Sequence, residues 1–164
     1  MSRKSPKRLR RRGVVDTSVL AAGVAGFKRD VEPTNDSAVF LRDWLEDGTF
    51  TWLVTADILD EYAAVLAELR VRRSAIGRIV NMLREEAEWI EPRRTVEADP
   101  DPGDSPFWTC AEVGSADLVV TLNRRDFSQA KLKALVIGPD DPLPSPRATK
   151  KPPRLRRARS VSSD

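Results

Sequence analysis

Four acidic residues of this 164-residue chain stand where carboxylates are unusual. Asp16 directly follows a short apolar segment, and Asp117 directly precedes another. Glu61 lies beside the apolar stripe of a predicted helix, and Asp104 precedes a further predicted helix. Converging carboxylates bind hard cations such as Mg²⁺, and one or two such ions hold phosphate and promote phosphodiester cleavage. If these acids meet in the fold, they suit that chemistry.

Ordinary structural roles explain three of these acids equally well. Asp16, Thr17 or Ser18 could each accept a backbone N–H at the start of the helix that follows them. Asp104 lies at the start of a predicted helix, where an acid is stabilising as a cap and through the helix dipole. Glu61 could border the core and extend into water. For each acid, the local pattern leaves both a structural role and metal binding open.

The composition excludes several other kinds of catalysis. The chain has no histidine, which removes Ser-His-Asp and Cys-His nucleophiles and histidine-ligated zinc. Its one cysteine, Cys110, cannot form an internal disulfide, so we expect a reducing, cytoplasmic location. The sequence contains no glycine-rich phosphate loop of the Walker or Rossmann type. Any catalysis is therefore expected to depend mainly on carboxylates.

Two other uses of the acids fit the sequence poorly. A calcium loop that starts at Asp99 would place Gly103 one position too early and Cys110 where a bidentate glutamate belongs. A phosphotransferase with Asp16 as its nucleophile would favour a second acid two residues later, where Ser18 stands. Trapping a phosphoryl-aspartate analogue at Asp16 would distinguish that alternative.

Helical and strand-like segments alternate along the chain, which is typical of an α/β fold with a mostly parallel sheet. We predict about four to five strands flanked by helices in one domain. The predicted strands lie at residues 14–15, 49–55, 117–123 and 134–139. The predicted helices lie at residues 19–24, 36–47, 57–69 and 74–88, with another that holds Phe107 and Trp108. Asp36 or Ser37 is expected to cap the second helix, and Thr55 or Asp57 the third.

Basic charge is concentrated at the two ends of the sequence. Residues 1–12 contain seven Lys or Arg and no acid, and residues 147–164 contain seven with one acid, whereas residues 13–146 carry a net charge of −10. We predict basic disordered tails at 1–12 and 147–164 around a domain at 13–146. Such tails can bind nucleic acid or an acidic partner. The sequence shows neither a secretory signal nor an apolar run of membrane length.

Four segments, taken in order, resemble the PIN-domain family of ribonucleases, which includes the toxins of VapBC-type toxin–antitoxin pairs. The segments are "VVDTSVL", "TADILDEYAAVL", "DPGDSPFWTCAEVGSADLVVTLNRRDF" and "LVIGPDDPLP". The resemblance extends from about Gly13 to Leu143. It implies a Mg²⁺- or Mn²⁺-dependent endoribonuclease that acts as a toxin, with an RNA substrate, an antitoxin as partner and a possible homodimer.

The resemblance also implies roles for particular residues. The expected catalytic and metal-binding acids are Asp16, Glu61, Asp104 and Asp117. Expected to orient ligands or water, or to serve as alternative ligands, are Thr17, Ser18, Thr121, Asn123 and Asp126. RNA contacts are expected from Arg124 and Arg125.

One position departs from the family pattern. Many relatives have an aspartate where this chain has Asn123, which can coordinate through its amide oxygen but carries no charge. Whether Asp117, Asn123 or Asp126 completes the site therefore stays open. An alternative function follows from this departure, namely a catalytically impaired PIN-fold module that binds RNA or a partner.

Overall fold

The computed structural model describes residues 10–26, 32–91, 105–127 and 132–146. Within them the chain forms five strands, five α-helices and one 3₁₀ turn. The strands are β1 (Arg12–Val15), β2 (Thr51–Val54), β3 (Glu88–Trp89), β4 (Leu118–Val120) and β5 (Leu135–Ile137). The helices are α1 (Thr17–Gly26), α2 (Asp36–Asp47), α3 (Ala56–Glu68), α4 (Arg73–Glu86) and α5 (Pro106–Val113), and the 3₁₀ turn spans Arg124–Asp126.

The five strands form one parallel sheet in the order β3-β2-β1-β4-β5. β1 lies at its centre, and Val15 is in register with Val120 of β4. The parallel α/β prediction is therefore confirmed. Because all strands run in the same direction, the residues that follow β1 and β4 meet at one edge of the sheet.

Helices flank the sheet, and its central strands are continuously apolar. Val14, Val15 and the whole of β4 are fully buried, as expected for strands covered on both faces. A chain of aromatic rings then packs between β2 and the helices. Its members are Phe40, Trp44, Phe50, Trp52, Tyr62 and Phe107.

Helix caps fix where α2 and α3 begin. Asn35 caps α2 by accepting a hydrogen bond from the N–H of Ala38 at 2.8 Å, so the prediction of Asp36 or Ser37 as the cap was wrong by one residue. Thr55 caps α3 through the N–H of Ile58 at 3.1 Å, which confirms one of the two predicted caps.

Three arginines at the start of the described chain contact the body of the protein. β1 begins at Arg12, and the side chains of the two preceding arginines bond to the body of the protein. Arg10 donates to the carbonyl of Gly48 at 2.6 Å, and Arg11 donates to that of Pro144 at 2.7 Å. These three residues therefore belong to the domain, while the rest of the predicted basic tails lies outside the described residues.

The second correction concerns β3 and α4. The sequence places residue 88 at the end of a helix, but residues 88–89 instead pair with β2 as a two-residue edge strand. In α4 only Leu83 is fully buried, and the apolar residues Ile76 and Ile79 and the C-cap residue Ala87 are partly covered. Leu45 of α2 is 47% exposed. Among the helices described, none is both long enough and apolar enough to cross a bilayer.

Candidate functional site

Asp16 lies at the carboxyl edge of the sheet, immediately after β1. Its backbone N–H donates to the carbonyl of Val120 at 2.9 Å, which continues the pairing of β1 with β4. Its carboxylate oxygen Oδ2 accepts from the hydroxyl of Ser18 at 2.7 Å and from that of Thr121 at 2.8 Å. Side-chain hydroxyls hold this carboxylate, whereas a helix cap would accept amide N–H groups of the first turn.

The same two hydroxyls hold the loop that follows β4. Ser18 Oγ accepts from the N–H of Leu122 at 3.1 Å, and Thr121 Oγ1 accepts from the N–H of Asn123 at 2.9 Å. Each hydroxyl thus donates to Asp16 and accepts from this loop. The network joins the start of α1 to the loop after β4 and fixes the orientation of the Asp16 carboxylate between them.

Glu61 reaches the same region from α3. Its oxygen Oε2 accepts from the hydroxyl of Thr17 at 3.1 Å, and Thr17 directly follows Asp16. Thr17 is buried, whereas Glu61 and Asp16 are each partly exposed. The carboxylate of Glu61 is therefore held by the residue that directly follows Asp16. The carboxylates of Asp16 and Glu61 both remain accessible to solvent.

The 3₁₀ turn lies beyond Thr121, and its residues are exposed. The amide nitrogen Nδ2 of Asn123 donates to Asp126 Oδ2 at 2.9 Å. Arg124 forms an ion pair with Asp141 at 2.5 Å, while Arg125 is simply exposed. The charged side chains of this turn thus come directly after Leu122 and Asn123, the residues that the hydroxyls of Ser18 and Thr121 hold.

The structure separates Asp117 from this cluster. Asp117 is buried before β4, and its Oδ2 accepts from the backbone N–H of Arg12 at 2.8 Å. Because β1 and β4 are parallel, a residue that precedes β4 lies at the amino edge of the sheet, opposite Asp16. In this structure Asp117 therefore lies apart from Asp16, and its carboxylate anchors the start of β1.

Asp104 lies outside the described residues. The next residue, Ser105, caps α5 by accepting a hydrogen bond from the N–H of Trp108 at 3.1 Å. The capping role that the sequence suggested for Asp104 is therefore filled by its neighbour. Capping of α5 therefore does not account for the acid at position 104.

The donor set determines which cation the edge suits. Asp16 and Glu61 offer only oxygen ligands, which Mg²⁺ and Mn²⁺ prefer. Within the described residues, no group of three or more acidic, cysteine or histidine side chains is placed to hold a metal ion. The two described carboxylates fit a hard cation, and Asp104, which lies outside the described residues, is a candidate for a third ligand.

Tyr62, a buried residue of α3 for which the sequence predicts no role in the site, lies near these acids. Tyr62 is fully buried, and its hydroxyl donates to the backbone carbonyl of Val15 at 2.6 Å. Burial raises its pKa well above the usual value, a hydrogen bond from Trp52 lowers it, and the nearby Cys110, Asp16 and Glu61 raise it further. Its position directly after Glu61 was the available signal.

Comparison with known families adds one finding. A family model described as a PIN domain matches residues 12–125. The matched region contains β1 to β4 and the whole hydrogen-bonded cluster around Asp16. Comparison with curated proteins gives no significant match.

Proposed function

Since this chain belongs to the PIN domain family, whose members are generally nucleases, we propose that it is a metal-dependent endoribonuclease. The observation that supports this proposal best is the arrangement around Asp16. Its carboxylate is oriented by two hydroxyls at the carboxyl edge of the sheet, and Glu61 is attached to the next residue. Two accessible carboxylates from separate elements provide oxygen ligands on a rigid frame.

In this proposal Asp16 and Glu61 hold a Mg²⁺ or Mn²⁺ ion, together with Asp104. A cation bound there would supply positive charge to offset the charge that develops on the phosphate. Ser18, Thr17 and Thr121 keep the carboxylates in place, because groups that hydrogen-bond to metal ligands fix their orientation. The exposed Arg124 and Arg125 are proposed to contact the RNA backbone. Asn123 and Asp126 are candidates to add a ligand from the 3₁₀ turn.

We further propose that the protein is the toxin of a toxin–antitoxin pair, with a protein antitoxin as its partner. This step rests on the sequence resemblance to such toxins. Induced expression of the wild-type protein in a heterologous bacterial host should arrest growth, whereas expression of Asp16→Asn should not. Equal growth with both proteins would contradict the toxin role and would leave the nuclease proposal to the assay below.

Replacement of Asp16 by Asn tests the nuclease proposal. We expect RNA cleavage in Mg²⁺ or Mn²⁺ to fall at least about 100-fold, because a ligand charge is lost. EDTA should abolish cleavage by the wild type. Asp60→Asn is the matched control, since it removes an exposed charge from the same helix as Glu61. Full metal-dependent activity in Asp16→Asn would refute the assignment.

A second variant separates the two acids of the central strands. Asp117→Asn should lower the stability to urea because it weakens a partly buried hydrogen bond from the backbone N–H of Arg12, yet it should retain cleavage per folded molecule. The assay is RNA cleavage normalised to the folded fraction. A complete loss of cleavage in folded Asp117→Asn would place this acid in the chemistry, against its position at the opposite edge.

One observation favours a second candidate function, a PIN-fold module that binds RNA or a partner without cleaving. Position 123 is an uncharged amide, and the described residues contain no group of three or more acids placed to hold a metal ion. Calorimetric titration of the wild type with Mn²⁺ distinguishes the two functions. Binding that is lost in Asp16→Asn supports the nuclease, and no binding to the folded wild type supports the module.

A further inference from the structure

Tyr62 makes a hydrogen bond of fixed direction inside the core. Its hydroxyl donates to the carbonyl of Val15 at 2.6 Å and accepts from Trp52 Nε1 at 3.2 Å. An indole N–H can only donate, so the hydroxyl proton is directed at Val15. All three residues are fully or almost fully buried, which leaves this bond no competition from water.

This bond and a neighbouring one hold β1 on both sides of Asp16. Val15 directly precedes Asp16 and Thr17 directly follows it. Tyr62 bonds to Val15, and Glu61, the preceding residue of α3, bonds to Thr17 at 3.1 Å. Two adjacent residues of α3 therefore grip the two residues that flank Asp16.

The grip lies where the pairing of β1 with β2 has ended. The last registered pair between these strands is Gly13 with Trp52. The carbonyl of Val15 lies two residues beyond that pair, and Tyr62 bonds it from α3. The end of β1 is thus positioned on one side by β4 and on the other side by this tyrosine.

The ring of Tyr62 also reaches the element that follows Asp104. It packs against Phe107 of α5 with ring centroids 5.9 Å apart, and edge-on against Trp52 at 6.3 Å. Phe107 comes three residues after Asp104 in the sequence. Tyr62 lies in α3, which carries Glu61, and it contacts the end of β1, which precedes Asp16. It also contacts α5, which follows Asp104.

Resting on the proposed nuclease function, we propose that Tyr62 is a positioning residue that sets the spacing of the Asp16 and Glu61 carboxylates and thereby the affinity for the divalent cation. Ligand distances in metal sites are set to within about 0.2 Å. A shift of the end of β1 relative to α3 would therefore weaken cation binding without removing any ligand.

The test compares Tyr62→Phe with Trp44→Phe. Trp44 Nε1 donates to the buried carbonyl of Phe50 at 3.0 Å, so each variant removes one buried bond from a side chain to a backbone carbonyl. Both should lose stability to urea. Only Tyr62→Phe should bind Mn²⁺ more weakly by calorimetry, by about tenfold or more. It should also need proportionally more Mn²⁺ for half-maximal RNA cleavage.

The possible results separate this inference from the proposed function. Wild-type Mn²⁺ affinity in a folded but less stable Tyr62→Phe would reduce Tyr62 to a structural residue and overturn the inference. An equal loss of affinity in Trp44→Phe would do the same, since the effect would then follow stability. Failure of the wild type itself to bind Mn²⁺ would instead refute the metal-dependent function, and the role of Tyr62 with it.

A second variant keeps the test decisive if Tyr62→Phe does not fold. Trp52→Phe retains the hydroxyl of Tyr62 but removes the N–H that directs the hydroxyl proton at Val15. We expect a smaller but measurable weakening of Mn²⁺ binding, by about threefold, which is less than the loss that accompanies removal of an orienting bond. An unchanged affinity in Trp52→Phe would overturn the inference.

Discussion

At the scale of single residues, strand direction decides which predicted acids come together. Asp16 follows β1 and reaches the carboxyl edge, whereas Asp117 precedes the parallel β4 and reaches the opposite edge. The position of Asp16 could be predicted from sequence because an apolar strand ends immediately before it. The bond between Glu61 and Thr17 could not, because it depends on how α3 packs against β1. The spacing of residues along the sequence does not indicate which side chains of α3 meet the end of β1.

Cys110 gives a prediction about alkaline stability. Burial raises the pKa of its thiol from 9.0 to about 12, Arg12 lowers it, and Glu88 raises it. Above about pH 9 the unfolded chain loses this proton while the folded protein keeps it. The free energy of unfolding should therefore fall as pH rises, by up to about 1.4 kcal/mol per unit.

Urea unfolding between pH 7 and pH 10.5 measures this effect, and Cys110→Ala isolates it. Above pH 9 the free energy of unfolding should fall less steeply with pH in the variant than in the wild type, because about one fewer proton is lost on unfolding. Part of the alkaline loss should persist above pH 10, since the pKa of Tyr62 is also raised by burial. Identical slopes for the variant and the wild type would contradict the assigned cause.

At the scale of elements, apolar patterning predicted most helices and strands because each buries a continuous or periodic apolar face. The exception is β3, which has two exposed residues and owes its existence to pairing with β2. Residue patterns carry no signal for such a strand. The contact of α1 with α2 is a second feature that spacing does not reveal, since it depends on the lack of a side chain at Gly23. A Cβ there would lie 2.4 Å from Leu41 Cδ1.

Two glycine substitutions test this contact. Gly23→Ala should destabilise the protein by about 1–3 kcal/mol, because the added methyl group forces α1 and α2 apart. Gly77→Ala is the matched control in exposed α4, where a Cβ meets nothing within 4 Å. It should stabilise by about 0.5–1 kcal/mol through helix propensity. Opposite shifts in thermal unfolding are expected, and shifts of the same sign would contradict the close packing of α1 on α2.

At the scale of the whole molecule, charge separates the body of the protein from its two ends. Residues 13–146 carry a net charge of −10, which by itself repels RNA. The sequence predicted this division but placed the boundary at residue 12. Arginine composition alone could not show that Arg11 and Arg12 bond to the domain, Arg11 to Pro144 and Arg12 to Glu88 at 2.8 Å. The first of these bonds brings the two ends of the described domain together.

The segments 1–9 and 147–164 are therefore expected to supply the non-specific attraction for RNA. They contain four and seven Lys or Arg, respectively, against one acid. Deletion of either segment should weaken binding of a labelled single-stranded RNA, measured by fluorescence anisotropy in the metal-free protein across a series of salt concentrations. Each lost phosphate contact should make the slope of log affinity against log salt shallower by about 0.7.

The two deletions together also test how the segments act. Because Arg11 and Pro144 are bonded, both segments leave the domain from neighbouring points, and one RNA of about ten nucleotides should engage both. The intact protein should therefore show a steeper salt dependence on this short RNA than either single deletion. If a single deletion matches the intact protein on the ten-nucleotide RNA but not on a longer one, the segments bind separate stretches of RNA. Mn²⁺ binding at Asp16 should be unchanged in both deletions, since the carboxyl edge lies at the other end of β1.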